Sequence, residues 1–313
     1  MEIYQKVLWV SLLWFTKTSK IGENIYLVDV KMHGKLGSTS VFVVKGEKAA
    51  ILDTGSNSTV KNLVERVLDL GIKIDDIAYI MPSHCHFDHA GGAAYLEDAF
   101  VKARVLVSDK DSKRLTVPAI IEKLVEGGRQ TFGDPTIEMK PIKNFDVVKE
   151  GDLVNLGNGV EIEILDTVGH SKDHISFYEA KSRFMFVGDA VGIHMPQTKT
   201  ITPTAFPPEF DLETFVATIR KIESYQPEII GFAHFGAKTA REGYLSLKDT
   251  VKVTYKWNNE IIKVYKEEQD LEKVVEFIVQ TYGKGLDEFA PNHARDLARS
   301  LAQGFLTKYT KPD

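Results

Sequence analysis

The sequence predicts an α+β protein, a four-layer αβ/βα sandwich carrying a helical appendage at its C-terminal end. Three observations lead there. Strand-like and helix-like stretches alternate up to about residue 127 and, more loosely, again over residues 141–236. The residues with chemistry to offer stand at the ends of strand-like runs in both halves. From Thr239 onward the apolar spacing is helical.

The elements follow in order. Residues 1–23 form an N-terminal extension whose run Val7–Phe15 is apolar. That run is far short of the ~20 residues a membrane span needs. Glu2 ahead of it, and the lack of a small-residue cleavage site in Thr16–Lys20, argue against a cleaved leader. It is expected to pack on the body or cover a subunit interface. Residues 24–238 form the expected catalytic region. Strands are expected at Ile25–Val30, Ser40–Val44, Ala49–Leu52 and Ile77–Met81. A helix spans Ser58–Leu70, with Ser56, Asn57 and Ser58 as capping residues and Gly71 as its stop. Ala90–Ala94 opens a close-packed helix. Further strands are expected at 145–148, 160–165, 175–179, 183–187 and 228–232, with a helix at 211–224. Residues 239–313 form the appendage, with helices at Val251–Val264, Leu271–Tyr282 and Asn292–Leu306 and a break at Tyr282–Gly285.

Composition suits a globular enzyme. At 313 residues and 43% hydrophobic, the chain can bury a large core. A net charge of -5 with mixed signs gives no support for nucleic-acid binding. The single cysteine excludes an intramolecular disulfide. A cytoplasmic homodimer acting on a small molecule, away from membranes, is the expectation.

The chemistry concentrates in Ser83-His84-Cys85-His86-Phe87-Asp88-His89-Ala90-Gly91-Gly92. His84 and His86 are two apart and point the same way in an extended backbone, Asp88 repeats the step, and His89 points elsewhere. One loop therefore offers donors to two neighbouring metal ions, and imidazole with carboxylate suits zinc, iron or manganese. Cys85 faces away and reads as a small buried filler. Further donors follow other strand-like runs: His170 after 160–165, Asp189 in Phe184–Ala190 and His234 in Ile229–Gly236. Any one of these histidines alone reads as a packed or surface residue. The set of seven, in this order, does not.

This set resembles the metallo-β-lactamase superfamily of hydrolases, from about Asn24 to Gly236. The resemblance implies that His84, His86 and His170 hold one divalent metal ion, that Asp88, His89 and His234 hold a second, and that Asp189 bridges them. Zinc comes before iron or manganese. It implies a bridging hydroxide as nucleophile, with Asp88 orienting it or taking its proton. Asp88 and Asp189 are thus the expected catalytic residues. Asp53, in Ala50–Gly55, is implied to brace the ligand loop without touching metal.

Several branches are thinned out by residues. Common class B β-lactamases carry cysteine where Asp189 stands, and flavin-linked diiron proteins carry glutamate at the His86 position. RNA-processing members insert a large domain between positions that here lie 45 residues apart, Asp189 and His234. Glyoxalase II enzymes place their last histidine in a Gly-His-Glu-Tyr-like motif, against Ala233–Gly236 here. The stretch Gly169–Ser176 and the proline-rich loop Pro203–Glu213 resemble an archaeal-type branch of broad-specificity hydrolases, with Lys172-Asp173 departing from its pattern. The expected reaction is hydroxide attack on an ester or lactone, with phosphoesters also open. The alternatives are a mononuclear iron persulfide dioxygenase and a glyoxalase II-like thioesterase. Pocket walls are expected at Met32–Ser38, with His33 at its tip, and at His194, Phe206 and Phe235 as substrate contacts. Apolar walls favour acyl or lactone substrates.

Overall fold

The computed structural model describes residues 14–110 and 112–310. Most of the apolar run Val7–Phe15 lies outside them. Its last two residues form strand β1 (Trp14–Phe15), and β2 (Ser19–Lys20) follows. Then come β3 (Ile25–Asp29), β4 (Ser40–Lys45), β5 (Ala49–Leu52), α1 (Val60–Asp69) and β6 (Ile77–Met81). Next are α2 (Phe87–Ala90), α3 (Ala93–Ala99), β7 (Arg104–Ser108), α4 (Lys113–Thr116), α5 (Pro118–Phe132) and β8 (Phe145–Val148). The second half runs β9 (Leu153–Asn155), β10 (Glu161–Asp166), β11 (Ile175–Glu179), β12 (Phe184–Phe186), β13 (Ile193–His194) and β14 (Ile201–Thr202). It closes with α6 (Leu212–Ser224), β15 (Ile229–Phe232), β16 (Gly236–Thr239), α7 (Ala240–Glu268), α8 (Leu271–Phe289) and α9 (Ala294–Thr310).

Among the described residues, two seven-stranded sheets pack face to face. The first has the order β2-β3-β4-β5-β6-β7-β8 and the second β1-β16-β15-β12-β11-β10-β9. Strands β5 to β8 pair in parallel, since helices connect them, while β3, β4 and β5 form an antiparallel meander. Phe42, Phe177, Phe184 and Phe186 pack between the sheets. Leu63, Val67, Leu96 and Val125 cover the outer face of the first sheet from the helices. Phe215, Ile219, Trp257, Ile278 and Leu301 cover the second. The result is the expected αβ/βα order of layers.

Differences from expectation include helix α7, which begins at Ala240 instead of Val251, and the two ends of the chain. Helix α8 runs unbroken through Gly283 and Gly285 to Phe289. Gly285 serves close packing there: a Cβ on it would stand 2.4 Å from Thr200 Oγ1. The C-terminal helices share one apolar core with the second sheet, so they form its outer layer and hold Phe289 at the site. At the other end, Trp14–Phe15 extends the second sheet by pairing with Ala237 and Lys238.

Candidate metal centre

Seven side chains converge from four strand ends. His84 and His86 follow β6, Asp88 and His89 ride on α2, His170 follows β10, Asp189 follows β12 and His234 follows β15. All are buried except His86, which is partly so.

The first group is three imidazoles. His84 Nε2 lies 2.9 Å from His86 Nδ1, and His170 Nε2 lies 3.2 and 3.1 Å from those two atoms. Three nitrogens held by one zinc at about 2.0–2.1 Å stand about 3.3 Å apart, so the spacing fits a tetrahedral ion. Burial, reinforced by the neighbouring histidines, pushes His84 well down. It takes His86 down to about 3 and His170 to about 4. All three rings are neutral at pH 7, the form that binds metal.

The second group joins histidine to carboxylate. Asp88 Oδ2 lies 3.2 Å from His234 Nε2 and 3.5 Å from His89 Nε2. Burial opposes charge at His89, but Asp88, Asp189 and Asp53 outweigh it and lift its pKa to about 10. His234 is raised in the same way, chiefly by Asp88. Burial likewise works against charge on Asp88, yet His89 and His234 hold its carboxyl well below the usual range.

Asp189 stands between the groups. Its Oδ2 faces His170 Nε2 at 3.5 Å, and its Oδ1 faces His89 Nε2 at 3.5 Å and His234 Nε2 at 3.6 Å. Oδ1, His89 Nε2 and His234 Nε2 are buried without a hydrogen-bond partner. Orphaned buried polar atoms are costly unless something binds them. All seven donors fit a pair of divalent cations: each group brings three donor atoms within 4.8 Å of one another.

The rings are fixed from behind. His170 Nδ1–H donates to the Thr204 carbonyl (2.8 Å) and His234 Nδ1–H to that of Ser38 (2.9 Å). His89 Nδ1–H donates to Asp53 Oδ2 (2.7 Å). Each bond turns Nε2 inward, where the ring presents a lone pair in its neutral form. Asp53 also accepts from the Ser83 amide through Oδ1 at 2.7 Å. It holds this pose at φ 60, a left-handed conformation that aspartate tolerates better than most residues. His174, beside the donors, is fully buried. Its Nδ1–H donates to Thr167 Oγ1 (2.8 Å), and its Nε2 accepts the Asp189 amide (3.0 Å). Gly188 makes room for that: at φ +50, a Cβ there would stand 2.6 Å from His174 Nε2. Asp173 accepts from the Cys85 amide at 2.9 Å and steadies the ligand loop. Burial pushes the Cys85 thiol well up, which suits a packed filler.

Above the donors lies a cavity of about 490 Å³. His86, Asp88, His170, Asp189 and His234 floor it, and Phe87, Phe132, Phe206 and Phe289 wall it. Phe206 is where it was expected. His194 and Phe235 are not on the cavity and need correction as substrate contacts. On β13, Ile193 faces the cavity, so alternation turns His194 to the far side. There its Nε2–H donates to the Val191 carbonyl and its Nδ1 accepts from Lys238. Phe235 is fully buried in the core. Both brace the His234 turn: the Phe235 amide donates to the His194 carbonyl, and the His194 amide to that of His234. The Met32–Ser38 turn reaches the centre through the Ser38 carbonyl, while His33 faces Asp134.

Comparison with known proteins agrees with this fold. Residues 33–234 match the family described as the metallo-β-lactamase superfamily. The metallo-β-lactamase fold-containing protein ST1585 of Sulfurisphaera tokodaii is 28% identical over 204 residues, 63% of this chain and 72% of that one. The hydroxyacylglutathione hydrolase GloC of Haemophilus influenzae is 32% identical over 197 residues, 62% of this chain and 82% of that one. The structure of the family protein TTHA1429 from Thermus thermophilus superposes with a TM-score of 0.62 at 16% identity, covering 91% of this chain and 94% of that one. The chain belongs to the metallo-β-lactamase superfamily, as a metal-dependent hydrolase. Among the described residues, no helix is long and apolar enough to cross a membrane.

Proposed function

We propose that the chain is a dinuclear metal hydrolase that opens carboxylic esters or lactones. The observation that carries this is Asp189, which turns one oxygen to each donor group at the floor of an apolar-walled cavity. His84, His86 and His170 would hold one divalent ion, and Asp88, His89 and His234 the other, with zinc the first candidate. Such a pair supplies a hydroxide at neutral pH and polarises the carbonyl under attack.

The chain's own residues do the rest. Asp88 stays ionised, so it accepts a hydrogen bond and orients the attacking oxygen better than it stores a proton. Thr204 ties His170 to Asp189: its carbonyl holds His170 while its hydroxyl donates to the Asp189 carbonyl at 2.7 Å. Phe206 and Phe289 flank the donors, with ring centroids 5.9 Å from His170 and 4.7 Å from His234, and exclude bulk water. A second reading, acyl thioesters, draws on the relative named as a hydroxyacylglutathione hydrolase.

Metal content and lactone hydrolysis measured on one purified sample test the proposal, with His170→Ala as control. Two ions per chain and lactone opening that the variant lacks are expected. One iron per chain, no hydrolysis and persulfide-dependent oxygen uptake would overturn it in favour of oxidation.

A further inference from the structure

The long wall of the cavity is one face of α5. Ile120, Lys123, Leu124, Gly127, Gly128 and Thr131 line it, at helical spacing that puts them in one stripe. The neighbouring stripe, Ile121 and Val125, is buried against the first sheet. Two adjacent glycines thus occupy the middle of the cavity face, inside a fifteen-residue helix. Glycine is the weakest helix former after proline. Neither residue has the positive φ that would call for it, unlike Gly133 at the helix end.

Space explains them. A Cβ on Gly128 would stand 3.0 Å from Phe87 Cδ1, so Gly128 lets that ring lie against the helix. A Cβ on Gly127 would meet nothing within 4 Å, so the missing side chain leaves open room at the exposed edge of the cavity. The opening is continuous with the donor floor, and the rings between the two are apolar: Phe87, Phe132 and Phe206.

From this we infer that the α5 face is an acyl-chain subsite and that Gly127 sets the chain length the enzyme accepts. The inference rests on the ester hydrolase reading for its carbonyl end. The acyl carbonyl sits over the floor at Asp189, and the chain runs along the helix past Phe87 and leaves over Gly127. Gly127→Phe would fill the exit, whereas Gly127→Ala would not.

The test compares p-nitrophenyl acetate with p-nitrophenyl decanoate on wild type, Gly127→Ala and Gly127→Phe, all metal-loaded. Binding of a fluorescent fatty acid to the metal-stripped proteins is followed alongside. Wild type is expected to favour decanoate in kcat/KM. Gly127→Phe is expected to lose at least about tenfold more on decanoate than on acetate, with metal content unchanged. Gly127→Ala should behave as wild type, and fatty-acid binding should weaken only in Gly127→Phe. An equal loss on both esters, or fatty-acid binding indifferent to Gly127→Phe, would overturn the subsite. Absence of turnover on either ester in wild type, with binding still sensitive to Gly127→Phe, would sink the hydrolase reading and keep the subsite.

Discussion

The two donor groups at the cavity floor follow opposite electrostatic plans. The first is three imidazoles that burial keeps neutral, with His86 down near 3 and His170 near 4. The second sets two imidazoles among carboxylates, and His89 rises to about 10. A cation entering the first group displaces no proton at pH 7. A cation entering the second must displace at least the one on His89, so its affinity climbs with pH. Neutral donors paired with an anionic set would hold two ions with different tightness.

The residue common to both plans is the place to break the comparison. Asp189→Ala removes the oxygen facing each group, so turnover should fall on the order of a thousandfold. Metal content should drop below two per chain while the circular dichroism spectrum stays native. Full activity with both ions retained would show that the groups work without a bridge.

Asp53 sharpens the contrast, because it acts on the second group through His89 alone. The Ser83 amide and His89 Nδ1–H both donate to its carboxylate. An asparagine has one acceptor oxygen for those two donors, so Asp53→Asn leaves one of them facing an amide NH₂. Affinity for the second ion should fall by about 10–100-fold, while the first ion stays. Titration with a chromophoric chelator reads both. Equal weakening of the two ions would mean that Asp53 supports the loop as a whole.

What the sequence made legible and what it hid divide along a physical line. The donors His84, His86, Asp88, His89, His170, Asp189 and His234 announce themselves because each is a chemically distinct side chain at the end of an apolar run. β5, β6, β8 and β11 fall on their expected bounds for the same reason, since apolar strands between turn residues have few other readings. Of the ring anchors, Asp53 behind His89 is legible and the others are hidden. Two of them are carbonyls, of Thr204 and Ser38, and a backbone carbonyl leaves no mark in a sequence. Phe235 shows that adjacency to His234 says nothing about side, and His194 that a single step along β13 reverses the face. Gly283 and Gly285 resembled a helix stop, but Gly285 answers to Thr200 packed against it, a contact across 85 positions.

The smallest effect expected is on stability in the metal-stripped protein, where the two plans pull in opposite directions with pH. His86 and His170 have folded values near 3 and 4, while the unfolded rings take protons near 6.5. The unfolded chain therefore holds more protons across that interval, and stability rises with pH up to about 6.5. His89 does the reverse. Its folded value near 10 lies above the unfolded one, so its contribution is full below 6.5 and is lost as pH climbs toward 10. Urea midpoints of the stripped protein should therefore climb from acid to about pH 6.5 and decline on the alkaline side. His89→Asn should flatten the alkaline decline and ease the acid limb only slightly, because burial comes before the His89 charge in holding His86 and His170 down. An alkaline limb untouched by that variant would mean that the carboxylates, rather than the histidine among them, set the second plan.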